Sequence, residues 1–213
     1  LLRPGLYVCA EWDFGGYPYR LLNEEGMVFR SRNEHFLKAC ERYIMRLGEE
    51  LSSQTINRGD NILMVQLENE YIYFDMESEK KEEFLRVLSD ACIRNGIDVP
   101  LFTCVTPEVR GSHDPVISQL FDMDNQYVWW NMHEAKSRIE KLKAEQPNAP
   151  AFVCELQGGW FSTVGGRLSE DSYLDGRHAR GMALMAMAGG STGLNYYMFF
   201  GGTHFAGWGA RRM

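Results

Sequence analysis

Two carboxylates in this chain stand where apolar runs end. Ile62-Leu63-Met64-Val65 leads into Gln66-Leu67-Glu68-Asn69-Glu70-Tyr71, and Ala151-Phe152-Val153-Cys154 leads into Glu155, with Gly158-Gly159-Trp160-Phe161 just beyond. A carboxylate at the end of a buried strand costs free energy unless it is paired or used. The carboxyl ends of strands are also where parallel α/β folds keep their catalytic groups. Two such groups, one as proton donor and one as nucleophile or base, are the minimum equipment for hydrolysing a glycosidic bond. The plain alternative is a pair of strand ends that reach water and are hydrated or salt-bridged. Glu68 lies two residues before Glu70 and would point the same way in an extended strand. Two like charges side by side repel, so Glu68 is expected to pair with an arginine and to serve structure.

The elements that would position these groups alternate. Strand-like apolar runs are expected at residues 6–10, 62–65, 99–105, 119–123, 152–155 and 194–200. Helical spacing links Phe36, Leu37, Cys40, Tyr43, Ile44, Leu47 and Leu51, with Asn33 as N-cap. It links Phe84, Leu85, Leu88, Ala91 and Cys92, and Asn95-Gly96 gives the stop. Further helices are expected at 134–145, ended by Pro147, and at 171–188. Residues 12–32, with Gly15, Gly16, Pro18 and Gly26, read as a long ordered loop of the kind that carries function. Strand alternating with helix implies a parallel sheet. A doubly wound sheet shares that alternation, but no G-x-G-x-x-G follows a strand, so its dinucleotide-binding form lacks a fingerprint. Along the chain, Glu70 and Glu155 are separated by nearly three units of the roughly 31 residues that an eight-fold barrel uses.

Composition narrows the field. The 213 residues are 45% hydrophobic and 24% charged, enough for one domain with a real core. The formal net charge is -7, and no basic cluster appears, so nucleic acid and anionic membrane are not expected partners. No apolar run is long enough to span a bilayer. Cys9, Cys40, Cys92, Cys104 and Cys154 form no C-x-x-C pair and, with the histidines, no zinc-ligand spacing. They read as buried free thiols. His113, His133 and His178 read as surface groups, and Met185, Met187 and Met198 as core filler. Trp12, Trp160 and Trp208 are candidate platforms for a sugar ring or, equally, packing under loops.

Four blocks in order carry a family resemblance. They are Tyr7-Val8-Cys9-Ala10-Glu11-Trp12 with Gly15, Gly16 and Pro18; Gln66-Leu67-Glu68-Asn69-Glu70-Tyr71; Glu155 with Gly159-Trp160-Phe161; and Tyr197-Met198-Phe199 with Gly201-Gly202-Thr203. Over nearly its whole length the chain resembles the catalytic barrel of glycoside hydrolase family 35, the β-galactosidases. The resemblance implies a (β/α)8 TIM barrel with Glu70 as general acid/base and Glu155 as nucleophile. It implies that Asn69 contacts the sugar 2-hydroxyl, that Glu11 and the backbone of Ala10 hold other galactose hydroxyls, and that Trp160 and Tyr197 line the sugar site. No cofactor or metal is implied. The substrate would be a terminal β-linked galactoside or oligosaccharide, in an extracellular, periplasmic or lysosome-like compartment.

The sequence departs from the family pattern at Leu6, Arg20, Ile72 and His204. Arg20 and His204 fall in loops at the active face and bear on the aglycone preference. The leading expectation is a retaining exo-β-galactosidase. An exo-β-glucosaminidase or other exo-glycosidase on the same barrel, and a non-catalytic carbohydrate-binding remnant, are the alternatives. Only six strand-like runs are found where the barrel needs eight. Residues 1–213 are therefore expected to be a single-domain fragment, about strands three to eight, that neither closes a barrel nor catalyses alone.

Overall fold

The computed structural model describes residues 1–199 except Glu11, Asp75, Thr163 and Val164, and describes Glu170 by its backbone only. The chain divides into two compact units, Leu1–Asp122 and Met123–Met213. Each is a parallel α/β arrangement.

In the first unit, β1 (Val65–Asn69) pairs in parallel with β2 (Leu101–Cys104). Leu2 adds a parallel bridge to Val65 on the other side of β1. Helices α1 (Glu34–Leu51) and α2 (Ser78–Arg94) follow the expected spacing. Asn33 caps α1 by accepting the Phe36 N–H at 3.1 Å. α1 buries Phe36, Cys40 and Ile44, and α2 buries Phe84, Leu85, Leu88, Ala91 and Cys92. Phe36 stacks on Phe84 with ring centroids 5.9 Å apart. The helices approach closely at Gly48, where a Cβ would fall 2.2 Å from the Asn95 carbonyl oxygen. A side chain there would force the α1 and α2 ends apart.

In the second unit, β3 (Phe121–Gln126), which begins in the last residues of the first, pairs in parallel with β4 (Phe152–Gln157). β4 pairs in parallel with β5 (Gly193–Tyr197). α3 (Met132–Glu145) and α4 (Gly176–Ala188) cover this sheet with Ala135, Ile139, Leu142, Met182 and Ala186, against Val153 and Leu156. Among the described residues no helix is long and apolar enough to cross a membrane.

Several expectations need correction. Residues 6–10 are not a strand. Pro4 has no N–H to offer a ladder, and Gly5, Cys9 and Ala10 turn the chain with φ of 77°, 61° and 49°. The sheet is extended by Leu2 instead. The strand near Ile62 starts three residues later, because Ile62 bridges back to Thr55 in a local turn. The strand expected at 119–123 lies at Phe121–Gln126, and its six residues are all buried despite four polar side chains. The last helix starts at Gly176, not 171, because Asp175 caps it by accepting the N–H groups of Arg177 and His178. His178 is fully buried, whereas His113 and His133 are exposed as expected. Met187 and Met198 are exposed and fill no core. All five cysteines are free; four are buried and Cys9 is half-buried.

Asp122 shows what such a polar strand demands. Its buried carboxylate accepts from Thr103 Oγ1 at 2.8 Å, the Thr106 N–H at 3.0 Å and Arg110 Nε at 2.8 Å. Burial outweighs these partners and pushes its pKa from 3.8 up to about 6. The folded state therefore holds this proton more tightly than the unfolded state does. Stability from this group is complete below about pH 3.8 and is lost as pH rises through about 6. Over that window the loss is on the order of 3 kcal/mol. Denaturant unfolding of the full-length protein from pH 4 to pH 7 should show Asp122→Asn flattening this fall. An identical slope in both proteins would rule the titration out.

Candidate active site

Strand β1 reads Val-Gln-Leu-Glu-Asn, and every one of its residues is buried. Its polar members survive burial because each has partners. Arg30, from the long loop before α1, grips Glu68 in a fork: Nε to Oε1 at 2.8 Å and Nη2 to Oε2 at 2.7 Å. The same Nη2 donates to the Asn69 carbonyl at 2.7 Å, and the Asn69 N–H donates back to Glu68 Oε2 at 2.5 Å. The guanidinium lies 4.0 Å from the Tyr7 ring centre and within 5.2 Å of Phe74. Tyr71 closes the loop by donating its hydroxyl to the Arg30 carbonyl at 2.6 Å. Burial alone would lower the Arg30 pKa, but the Glu68 charge and its hydrogen bonds hold it above its usual value. Burial raises the pKa of the Glu68 carboxyl, and the Arg30 charge is the chief opposing influence. Glu68 thus has the arginine partner its sequence position suggested.

Glu68 and Glu70 do not share one strand, since β1 ends at Asn69. The ladder slips between Gln66 and Glu68, and Glu70 leaves the strand in the left-handed region at φ 50°, ψ 45°. A non-glycine residue there costs of order 1–3 kcal/mol and is held only when its surroundings over-determine it. Here the Glu70 N–H donates to the Cys104 carbonyl at 2.9 Å, and its carbonyl accepts from the Tyr73 N–H at 3.1 Å. Glu68 is held inside the strand by Arg30, and half-buried Glu70 starts the next segment. Ala10 lies in the left-handed Cys9–Ala10 turn of the same unit. Glu11 lies outside the described residues.

In the second unit Glu155 lies on β4, 7% exposed, and Tyr127 donates its hydroxyl to Glu155 Oε2 at 2.5 Å. Tyr127 also meets Trp160 edge-on at 6.2 Å. Trp160 contacts Trp129 at 4.9 Å and Phe161 at 5.1 Å. Trp129 and Trp160 remain 40% and 38% exposed, so this aromatic wall faces outward and is not core. Trp129 is held at φ 53° by two fully buried side chains. Gln157 Oε1 accepts its N–H at 3.0 Å, and His178 Nε2 bonds its carbonyl at 2.8 Å. Tyr197 ends β5 beside Gln157, and its carbonyl accepts the Gly158 N–H at 3.2 Å.

The first unit thus brings together Asn69 and Glu70, and the second brings together Glu155, Trp160 and the end of β5. Arg20 is exposed on a short 3-10 turn, Tyr19–Asn23, and Trp12 is partly exposed. His204 and Trp208 lie outside the described residues. Sequence reasoning missed Arg30, Tyr127 and the Gln157–His178 clasp on Trp129. The available signal was polarity inside buried strands, which always demands a partner. Among the described residues no group of three His, Cys, Asp or Glu could hold a metal ion.

Comparison with known proteins adds an independent line. A family model described as glycosyl hydrolases family 35 matches residues 1–213. The chain is 31% identical to a beta-galactosidase of Bos taurus over 210 residues, 98% of this chain and 30% of that protein. It is 32% identical to a beta-galactosidase of Xanthomonas manihotis over 208 residues, 96% of this chain and 32% of that protein. It is 30% identical to Beta-galactosidase-1-like protein 3 of Mus musculus over 206 residues, 96% of this chain and 29% of that protein. The chain therefore spans about a third of the length of these relatives.

The two neighbouring glutamates should separate cleanly on substitution. Glu68→Gln leaves the Arg30 charge buried without its partner, which costs about 3–5 kcal/mol. Glu70→Gln leaves the Arg30 fork whole and should cost clearly less than Glu68→Gln. Chemical denaturation of the two full-length variants reads the difference. Equal losses would mean that the division of roles between these carboxylates is wrong.

Proposed function

The chain belongs to the glycosyl hydrolases of family 35, a TIM-barrel family, and from that premise we propose that it carries the catalytic carboxylates of a retaining exo-β-galactosidase. The observation that carries the reading is the placing of Glu155. A carboxylate within buried β4, which runs two residues beyond the strand end expected at Glu155, is gripped by the Tyr127 hydroxyl and bordered by the outward-facing Trp129 and Trp160. An oriented carboxylate beside an apolar wall suits a nucleophile that must meet the anomeric carbon of a sugar whose apolar face rests on aromatic rings.

In this reading Glu155 attacks the anomeric carbon while Glu70 protonates the departing glycosidic oxygen. A covalent glycosyl-enzyme forms and the aglycone leaves. Glu70, now a carboxylate, takes a proton from water, which attacks the same carbon and frees the sugar and Glu155. The turn at Glu70 supports its role, since it takes this residue out of the strand in which Arg30 fixes Glu68. Asn69 would hydrogen-bond the sugar 2-hydroxyl, with Ala10, Glu11 and Tyr197 lining the rest of the sugar. The retaining mechanism calls for carboxyl groups about 5–5.5 Å apart.

Mutant kinetics of the full-length protein test the roles. Glu155→Gln should abolish turnover of every β-galactoside, because no glycosyl-enzyme can form. Glu70→Gln should lower kcat by about 10²–10⁴-fold on substrates with poor leaving groups and spare those with good ones. Azide should rescue the alanine variants with opposite stereochemistry, giving the β-azide at position 70 and the α-azide at 155. The reverse pattern would exchange the roles. A panel of chromogenic glycosides that shows hydrolysis of glucosaminides but not galactosides would replace the substrate class. No hydrolysis of any glycoside by the unmodified protein would overturn the enzymatic reading.

A further inference from the structure

The end of β1 spends more buried donors on one carboxamide than strand packing requires. Asn69 Oδ1 accepts from Arg3 Nη2 at 2.8 Å, from Cys104 Sγ at 3.0 Å and from Gln66 Nε2 at 3.1 Å. Arg3 also donates through Nε to Gln66 Oε1 at 2.5 Å. Gln66 Nε2 lies 3.2 Å from Cys104 Sγ, which closes the ring of contacts. Asn69, Gln66 and Cys104 are all buried.

The directions in this cluster follow from one group. A guanidinium can only donate, so the atoms it faces on Asn69 and Gln66 are both oxygens. That leaves the Gln66 NH2 to donate to the Glu68 carbonyl at 2.9 Å and to Asn69 Oδ1 at 3.1 Å. The Cys104 thiol, with the Gln66 NH2 on its sulfur side, supplies its own S–H to the same oxygen. A flipped Asn69 amide would set its NH2 against three donors. The Asn69 oxygen is thus committed inward, and the amide can show a ligand only N–H groups.

We infer that Arg3, bonded directly to Asn69 Oδ1 and joined there by Gln66 and Cys104 as further donors, is a positioning residue that fixes the Asn69 carboxamide with its NH2 outward, so that this corner of the site selects a hydrogen-bond acceptor such as a sugar hydroxyl oxygen. The inference rests on the proposed function, which gives Asn69 the 2-hydroxyl. It adds that the choice of donor over acceptor is made by a residue that touches no substrate. The Cys104 thiol is thereby given a directional task, with no covalent chemistry.

The test compares kcat/KM of the full-length protein for a nitrophenyl β-galactoside and its 2-deoxy analogue. A site built to bond a hydroxyl should prefer the parent by about 10²-fold or more. Arg3→Met and Cys104→Ala should cut that preference at least tenfold, mainly through kcat, because the contact strengthens in the transition state. Cys104→Ser keeps a donor and should restore it. Asn69→Asp, which keeps an oxygen for Arg3 but has no N–H to offer, should abolish it. A residue that merely supports the fold would lower activity on both substrates together and leave the ratio unchanged. An unmodified protein with no preference would refute the role given to Asn69 itself. A clear preference that survives Arg3→Met intact would refute this inference alone and leave the proposed function standing. Loss in Arg3→Met but not in Cys104→Ala would keep Arg3 and remove Cys104 from the set of positioning donors. Should Arg3→Met not fold, the Cys104→Ala and Cys104→Ser pair decides in its place.

Discussion

The buried fork between Arg30 and Glu68 is the constraint on which the first unit depends. Taking both charges out of water carries a desolvation cost of several kcal/mol per ion, which only good geometry and further hydrogen bonds can offset. The chain supplies both: two short N–H···O contacts, a third to the Asn69 carbonyl and aromatic rings around the guanidinium. The consequences spread outward. Residue Arg30 belongs to the long loop, so the fork ties that loop to the strand, and Tyr71 ties the far side of the strand back to Arg30. The backbone of Asn69 is held at both its N–H and its C=O by this pair. With Asn69 fixed, the abrupt turn at Glu70 has a rigid base.

The second unit solves a similar problem with neutral groups. Gln157 and His178 are fully buried and spend hydrogen-bonding capacity on the backbone of a single residue, Trp129. The indole is thereby presented to the outside in a conformation that tryptophan does not choose unaided. In both units, polar side chains that look misplaced inside the fold serve the loops at the strand ends. The cost of burying them is offset by the order they impose there.

This explains which parts of the molecule could be read from the sequence. The helices were legible because their signals are local. Asn33 caps α1 three residues before Phe36, and Asn95-Gly96 ends α2 next to its last turn. The parallel α/β class was legible for the same reason. The edges of β1 were not, since the apolar run draws attention to Ile62 and Leu63 while the buried strand is half polar. What makes Gln66, Glu68 and Asn69 acceptable there is Arg3 and Arg30, more than thirty residues away in sequence. His178 was misjudged likewise. Nothing near it in the sequence shows that the carbonyl of Trp129, 49 residues earlier, is its partner. Glu68 was read correctly in kind, because repulsion from Glu70 called for a cation, but the identity of that cation depends on tertiary structure.

The slip in the ladder before Glu68 and the left-handed turn at Glu70 also set a rule about length. Side chains alternate along a strand, so adding or removing one residue reverses every assignment beyond it. A deletion between Gln66 and Glu70 would hand Arg30 the wrong side chain and bring a different residue to the turn, even with every functional residue type still present. Insertions in the loop between α1 and β1 would leave this phase untouched, since the count from Val65 onward does not change. The stretch from Val65 to Glu70 is therefore measured as much as it is composed. Variation in length, more than variation in residue type, is what this part of the chain cannot absorb.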